Sequence, residues 1–95
     1  MKNRERIVKM TDLVTEALAP TELEVIDDSH LHVGHAGAAG GAGHFTIKVT
    51  SDKFEGLSLV ARHRLIYKVL DEMFPNDIHA LSIQANTPKE KDKPF

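Results

Sequence analysis

From about Asn3 to Leu18 the apolar residues Ile7, Met10, Leu13, Val14, Ala17 and Leu18 recur every three or four positions, with charged residues filling the gaps. That spacing puts them on one face of a helix, and Pro20 stands where such a helix would already have ended. Leu23-Glu24-Val25-Ile26-Asp27 alternates at its start and predicts a short strand closed by Asp28-Ser29. His44 to Thr50 alternates cleanly, Phe45, Ile47 and Val49 on one side and His44, Thr46, Lys48 and Thr50 on the other. It predicts a half-buried strand paired with the first. From Ser58 to Phe74 apolar positions return every turn (Ala61, Leu65-Ile66, Val69-Leu70, Met73-Phe74), the pattern of a second amphipathic helix. Pro75-Asn76-Asp77 breaks it, and Ile78 to Ala85 predicts a third strand with Leu81 and Ile83 facing the core.

The predicted order is α-β-β-α-β. A strand, a long helix and another strand form a right-handed crossover with the strands parallel. The expected fold class is therefore α+β: a three-stranded mixed sheet with both helices on one face and Thr46, Lys48, Thr50, Ser82 and Gln84 on the other. Residues 1–88 read as one domain, and residues 89–95 as a charged, frayed tail.

Between the first two strands lies the least ordinary stretch, His30 to Gly43. It holds five glycines and almost no bulky side chains, so it reads as a mobile loop with little to bury. Elsewhere aromatic residues are few, with no Trp, one Tyr and four Phe, which makes the core aliphatic. There is no cysteine. This removes disulfides, thiolate nucleophiles and thiolate metal sites supplied by this chain alone. The 12 Lys and Arg against 14 Asp and Glu give a net charge of −2. Nucleic-acid binders usually carry a basic surplus, so this balance weighs mildly against that class. No apolar run approaches membrane-spanning length, and the charged start MKNRERIVKM lacks the apolar stretch of a signal peptide. A cytoplasmic protein is expected.

Enzyme motifs are missing: there is no G-x-S-x-G, no Walker A, no H-E-x-x-H. Gly37-Ala-Ala-Gly40 matches the G-x-x-G of KH domains in form, but it lies between strands rather than between helices. Loop flexibility explains it better. The histidines are the distinctive chemistry. His30, His32 and His35 crowd the glycine loop, and His-x-His and His-x-x-His spacings can bring two imidazoles onto one metal. Solvated loop histidines of no consequence are the competing explanation, at even weight. His79 opens the third strand at the sheet's edge, on the side that strand alternation shares with Leu81 and Ile83. His63, one turn before Tyr67, reads as a packed or hydrogen-bonded helix histidine.

Several stretches together resemble the BolA family: Leu23-Glu-Val-Ile-Asp-Asp-Ser29, His44-Phe45, Phe54-Glu-Gly-Leu-Ser, Arg62-His-Arg-Leu-Ile-Tyr67, and Ile78-His-Ala-Leu-Ser-Ile83 with Thr87-Pro88. The resemblance spans about residues 4 to 88, in order. It implies a class II KH-like α-β-β-α-β fold, monomeric when alone, without enzymatic activity, and partnered by a monothiol (CGFS-type) glutaredoxin. In that partnership a 2Fe-2S cluster is shared, in iron–sulfur cluster assembly, trafficking or iron sensing. Glutaredoxin and glutathione bring thiolates, while the BolA partner brings a histidine after its second helix and a loop histidine or cysteine. By motif the first is His79. The loop ligand is His32 counting forward from Asp28-Ser29, or His35 counting back from His44-Phe45. After Thr87-Pro88 this chain has Lys89-Glu90-Lys91, where many members carry a Trp. A chain without cysteine needs such a partner to hold a conventional cluster.

Two other classes compete. One is a DNA-binding transcriptional regulator contacting phosphates through Arg62, Arg64 and Lys68, with Lys48 and Lys53 nearby. The other is a structural adaptor with incidental histidines.

Overall fold

A computed structural model describes residues 3–29 and 43–91 of the chain. The elements are α1 (Asn3–Leu18), β1 (Glu22–Asp27), β2 (Gly43–Thr50), α2 (Leu59–Val69), β3 (Ile78–Asn86) and a single terminal turn, α3 (Pro88–Lys91). Tight 3-10 turns occupy Asp52–Phe54 and Asp71–Met73.

The strand order is β1-β2-β3, with β2 antiparallel to β1 and parallel to β3. The predicted alternation of β2 holds: Phe45, Ile47 and Val49 are buried and Lys48 is exposed. Met10, Val14 and Leu18 of α1 and Ile66 of α2, with Leu70, cover that buried face, joined by Phe54 and Met73. These side chains, together with Ile78 and Ala85, form a mainly aliphatic core, the outcome expected from a chain with few aromatics. Thr50, assigned to the polar face, is buried instead, because Thr21 runs across it and donates to its carbonyl at 2.8 Å.

Polar side chains fix the connections. Buried Ser51 donates to the carbonyl of Leu18 at 2.6 Å and accepts from the Lys53 amide at 3.1 Å, tying the end of α1 to the start of a 3-10 turn. Phe54-Glu55-Gly56-Leu57 is a type II turn: Glu55 has φ −56° and ψ 130°, Gly56 has φ 77°, and the Leu57 amide donates to Phe54 at 3.0 Å. The third position of such a turn needs a left-handed backbone, which glycine supplies without steric cost. Ser58 then caps α2 by accepting from the Ala61 amide.

Two boundaries differ from those read in the sequence. The second helix does not run unbroken to Phe74. It gives way after Val69 to a 3-10 turn that closes with a bond from Met73 to Leu70. This tightening leaves Phe74 extended (φ −97°, ψ 145°), the conformation favoured before a proline. The domain also does not stop at Pro88. Thr87 and Glu90 form a reciprocal capping box, the Thr87 amide donating to Glu90 and the Glu90 amide to the Thr87 hydroxyl. Residues 89–91, expected to fray, therefore belong to a docked helical turn, while 92–95 lie outside the described residues.

Candidate functional site

Pairing between β2 and β3 slips once. Gly43 pairs with Ile78 and His44 with Ala80, so His79 is an extra residue bulged out of the ladder. The slip resets the strand's alternation and sends Ile78 into the core, fully buried. His79 is thus not on the side of Leu81 and Ile83, as unbroken alternation predicts. It is exposed at the sheet's edge, its ring 5.1 Å from that of His44 at a tilt of 51°. Bulges re-aim side chains in this way. Sequence reasoning singled out His79 but passed over His44 as an ordinary polar-face residue. Its place in the alternation of β2 carries no sign of the contact, which arises only from the slipped register.

This corner is also where the segment between β1 and β2 leaves and returns. Ser29 and Gly43, the described residues on either side of it, meet here: the Ser29 hydroxyl accepts from the His44 amide at 3.0 Å, and Gly43 donates to the Asp77 carbonyl at 3.0 Å. Ser29 is itself held by its amide bonding the Asp27 carboxylate at 2.8 Å, a local Asx turn. The Asp28 amide donates to the His44 carbonyl, and Asp28 takes a hydrogen bond from the Thr46 hydroxyl. Gly43 has a packing reason to be glycine. A Cβ there would lie 2.6 Å from Cζ of Phe45, a residue only 1% exposed. His30, His32 and His35 lie outside the described residues. Among the described residues no group of three or more metal-ligating side chains converges, so His44 and His79 stand as a pair.

The proposed phosphate-contacting set is split by the fold. Arg62 is 5% exposed and faces inward. It donates to the carbonyls of Leu57 (3.0 Å) and Ala85 (3.1 Å) and grips both oxygens of Glu90, at 2.6 and 3.0 Å, with its guanidinium over the Phe54 ring. The bond from Arg62 holds the Glu90 carboxyl at about 2, well below the usual carboxylate range, and the same bond raises the pKa of Arg62. A guanidinium so committed is a structural residue, and Arg62 is withdrawn as a nucleic-acid contact. Arg64 and Lys68 remain exposed on α2, as do Lys48 and Lys53. His63 is exposed too rather than packed. Tyr67 stacks instead on Phe74 and donates to the Leu81 carbonyl at 3.4 Å.

The fold is shared with known proteins. The family model described as BolA-like protein matches residues 14–90, so its end coincides with the capping-box residue Glu90. The chain is 46% identical over 95 residues to SufE-like protein 1, chloroplastic/mitochondrial, of Arabidopsis thaliana, covering 95% of this chain and 24% of that protein. It is 43% identical over 88 residues to protein BOLA1, chloroplastic, of the same plant, covering 90% of this chain and 55% of that one. The chain therefore spans about half or less of the length of these two relatives. The solved BolA domain of SufE1 from Arabidopsis thaliana superposes with a TM-score of 0.80 at 44% identity, covering 90% of this chain and 94% of that domain.

Proposed function

The chain belongs to the BolA-like protein family, and from that membership we propose that it is a non-enzymatic partner of a monothiol glutaredoxin, with which it shares a 2Fe-2S cluster. The observation that carries the reading is the placement of His79. A register slip expels this imidazole to the sheet's edge, beside His44 and at the corner where Ser29 and Gly43 bracket the segment bearing His32 and His35. His79 and one of those two histidines would be this chain's ligands.

The donor set fits a shared cluster better than one held alone. Imidazoles are available and thiolates are not, so glutaredoxin and glutathione must supply the sulfur. Neutral imidazole in place of thiolate lowers the negative charge at one iron and raises the reduction potential of such a cluster. The chain's own part is to hold one imidazole at a fixed edge, with its ring supported by a neighbour and its backbone set by β3. Transcriptional regulation through DNA is the weaker reading, since one residue of its basic set, Arg62, is engaged internally.

The deciding experiment is anaerobic co-purification with a monothiol glutaredoxin and glutathione, recording visible absorption. The complex is expected to be coloured and the lone chain colourless. A stable iron–sulfur chromophore in the lone chain, or a colourless complex, would sink the proposal.

A further inference from the structure

Arg6 heads the buried stripe of α1, one turn before Met10 and two before Val14, yet it is a cation at 7% exposure. Burying a guanidinium is costly unless it is well paired. Here the pairing is thin. One terminal nitrogen donates to the Asn3 side-chain oxygen at 2.7 Å, and Nε stands 3.6 Å from the Asp77 carboxylate. Among the described residues Nε has no hydrogen-bond acceptor. An apolar residue would continue the stripe at lower cost, so stability alone does not account for arginine at this position.

Its partners do. Asn3, oriented by Arg6, donates to the Asp27 carboxylate at 3.0 Å and to the Ser29 hydroxyl at 3.2 Å. Asp27 and Ser29 form the outgoing root of the segment between β1 and β2. Ser29 in turn accepts from the His44 amide, at the returning root. Asp77 lies two residues before His79, and its carbonyl accepts from Gly43. One polar cluster on the first turn of α1 thus touches the outgoing root and Asp77 directly, and reaches the returning root through Ser29 and the Asp77 carbonyl.

We infer that Arg6 and Asn3 are positioning residues, a clamp that sets the separation between the two roots of the histidine-bearing segment and the exposed His79. This deepens the proposed function and rests on it only for its purpose, because the clamp itself is a property of the free chain. Buried polar groups that cost stability while fixing a register are an established use of such pairs.

The test uses the full chain with Arg6→Met, which keeps the volume of the stripe, and Asn3→Ala, which uncovers no core. Amide hydrogen exchange and the ring resonances of His44 and His79 are followed in each. Exchange at Gly43 and His44 is expected to quicken about ten-fold or more and both rings to shift, while the Leu70 amide (bonded to Ile66) and the Ser51 amide (bonded to Asn86) stay as protected as before. Should Arg6→Met loosen every amide equally, Asn3→Ala decides alone. No local change in Asn3→Ala, or faster exchange with unmoved His79 resonances, overturns the inference. Visible dichroism of the glutaredoxin complex is then expected to change in both variants. A wild-type complex without a chromophore would remove the shared-cluster reading and leave the clamp to be judged on the free chain.

Discussion

The imidazoles of His44 and His79 face each other across a break in the parallel ladder, 5.1 Å between centroids, although β2 and β3 are otherwise in continuous register from His44–Ala80 to Thr50–Asn86. One ring is partly shielded and the other exposed. His79→Ala should therefore leave the domain folded, with a stability change within about 0.5 kcal/mol, as is usual for exposed sites. In the glutaredoxin complex the same change is expected to abolish or reshape the cluster's visible spectrum. Thermal unfolding and absorption measured on one preparation separate the two effects. A variant that unfolds would make His79 a structural residue.

The segment between Ser29 and Gly43 offers two histidines for one ligand position. Single substitution His32→Ala is expected to weaken cluster retention only in part, since His35 lies three residues further along the same glycine-rich stretch. The double variant with His35→Ala should lose the imidazole signal, read from hyperfine-shifted resonances or visible dichroism. His30→Ala should matter least. An unchanged double variant would mark the segment's histidines as bystanders.

Stability should fall with acid through one identifiable pair. The Glu90 carboxyl is lowered from 4.5 to about 2 by its bond to Arg62, so the folded state binds that proton less readily than the unfolded chain. The stabilisation is fully present above the unfolded value and is lost as pH falls from about 4.5 towards about 2. Denaturant titrations across that range should show wild type losing stability more steeply than Glu90→Gln, which is expected to be less stable at neutral pH and flatter with acid. Parallel slopes for the two proteins would refute the assignment.

Gly43→Ala should destabilise the domain by about 1–3 kcal/mol, the usual cost of forcing a group into a packed core. The new methyl meets the fully buried Phe45 ring, so the penalty comes from the core although the substitution lies at the root of the candidate site. Chemical denaturation gives the number directly. Neutrality would mean that Phe45 can move aside.

Much of the architecture is written in local periodicity. The apolar spacing of α1 points to Met10, Val14 and Leu18, and the alternation of β2 to Phe45, Ile47 and Val49, because each element meets the core with a single face. The sequence was less informative wherever a residue's role depends on a distant partner. Arg62 reads as a basic surface residue until Glu90, 28 positions away, is brought to it. Arg6 likewise looks like helix-surface charge until Asp77 closes on it. At His79 alternation gave the wrong side, since a one-residue bulge cannot be seen in a strand pattern. Motif resemblance picked His79 where periodicity did not, and it missed His44, whose significance lies in the slipped pairing.

The strand order has a kinetic consequence. Neighbouring strands are joined nowhere by a tight turn: β1–β2 pairs such as Leu23–Val49 are 26 residues apart, and β2–β3 pairs such as Phe45–Leu81 are 36 apart. Every rung of the sheet closes a long stretch of chain, so the helices and their contacts must form early if the strands are to meet at useful rates. Folding speed should then respond strongly to Ile66 and Leu70, which join α2 to the core. It should respond weakly to the length of the stretch between Ser29 and Gly43, because closure entropy rises only logarithmically, about 0.6 kcal/mol for each doubling. The histidine-bearing stretch can thus lengthen or shorten with little effect on folding, so folding places no tight limit on its length.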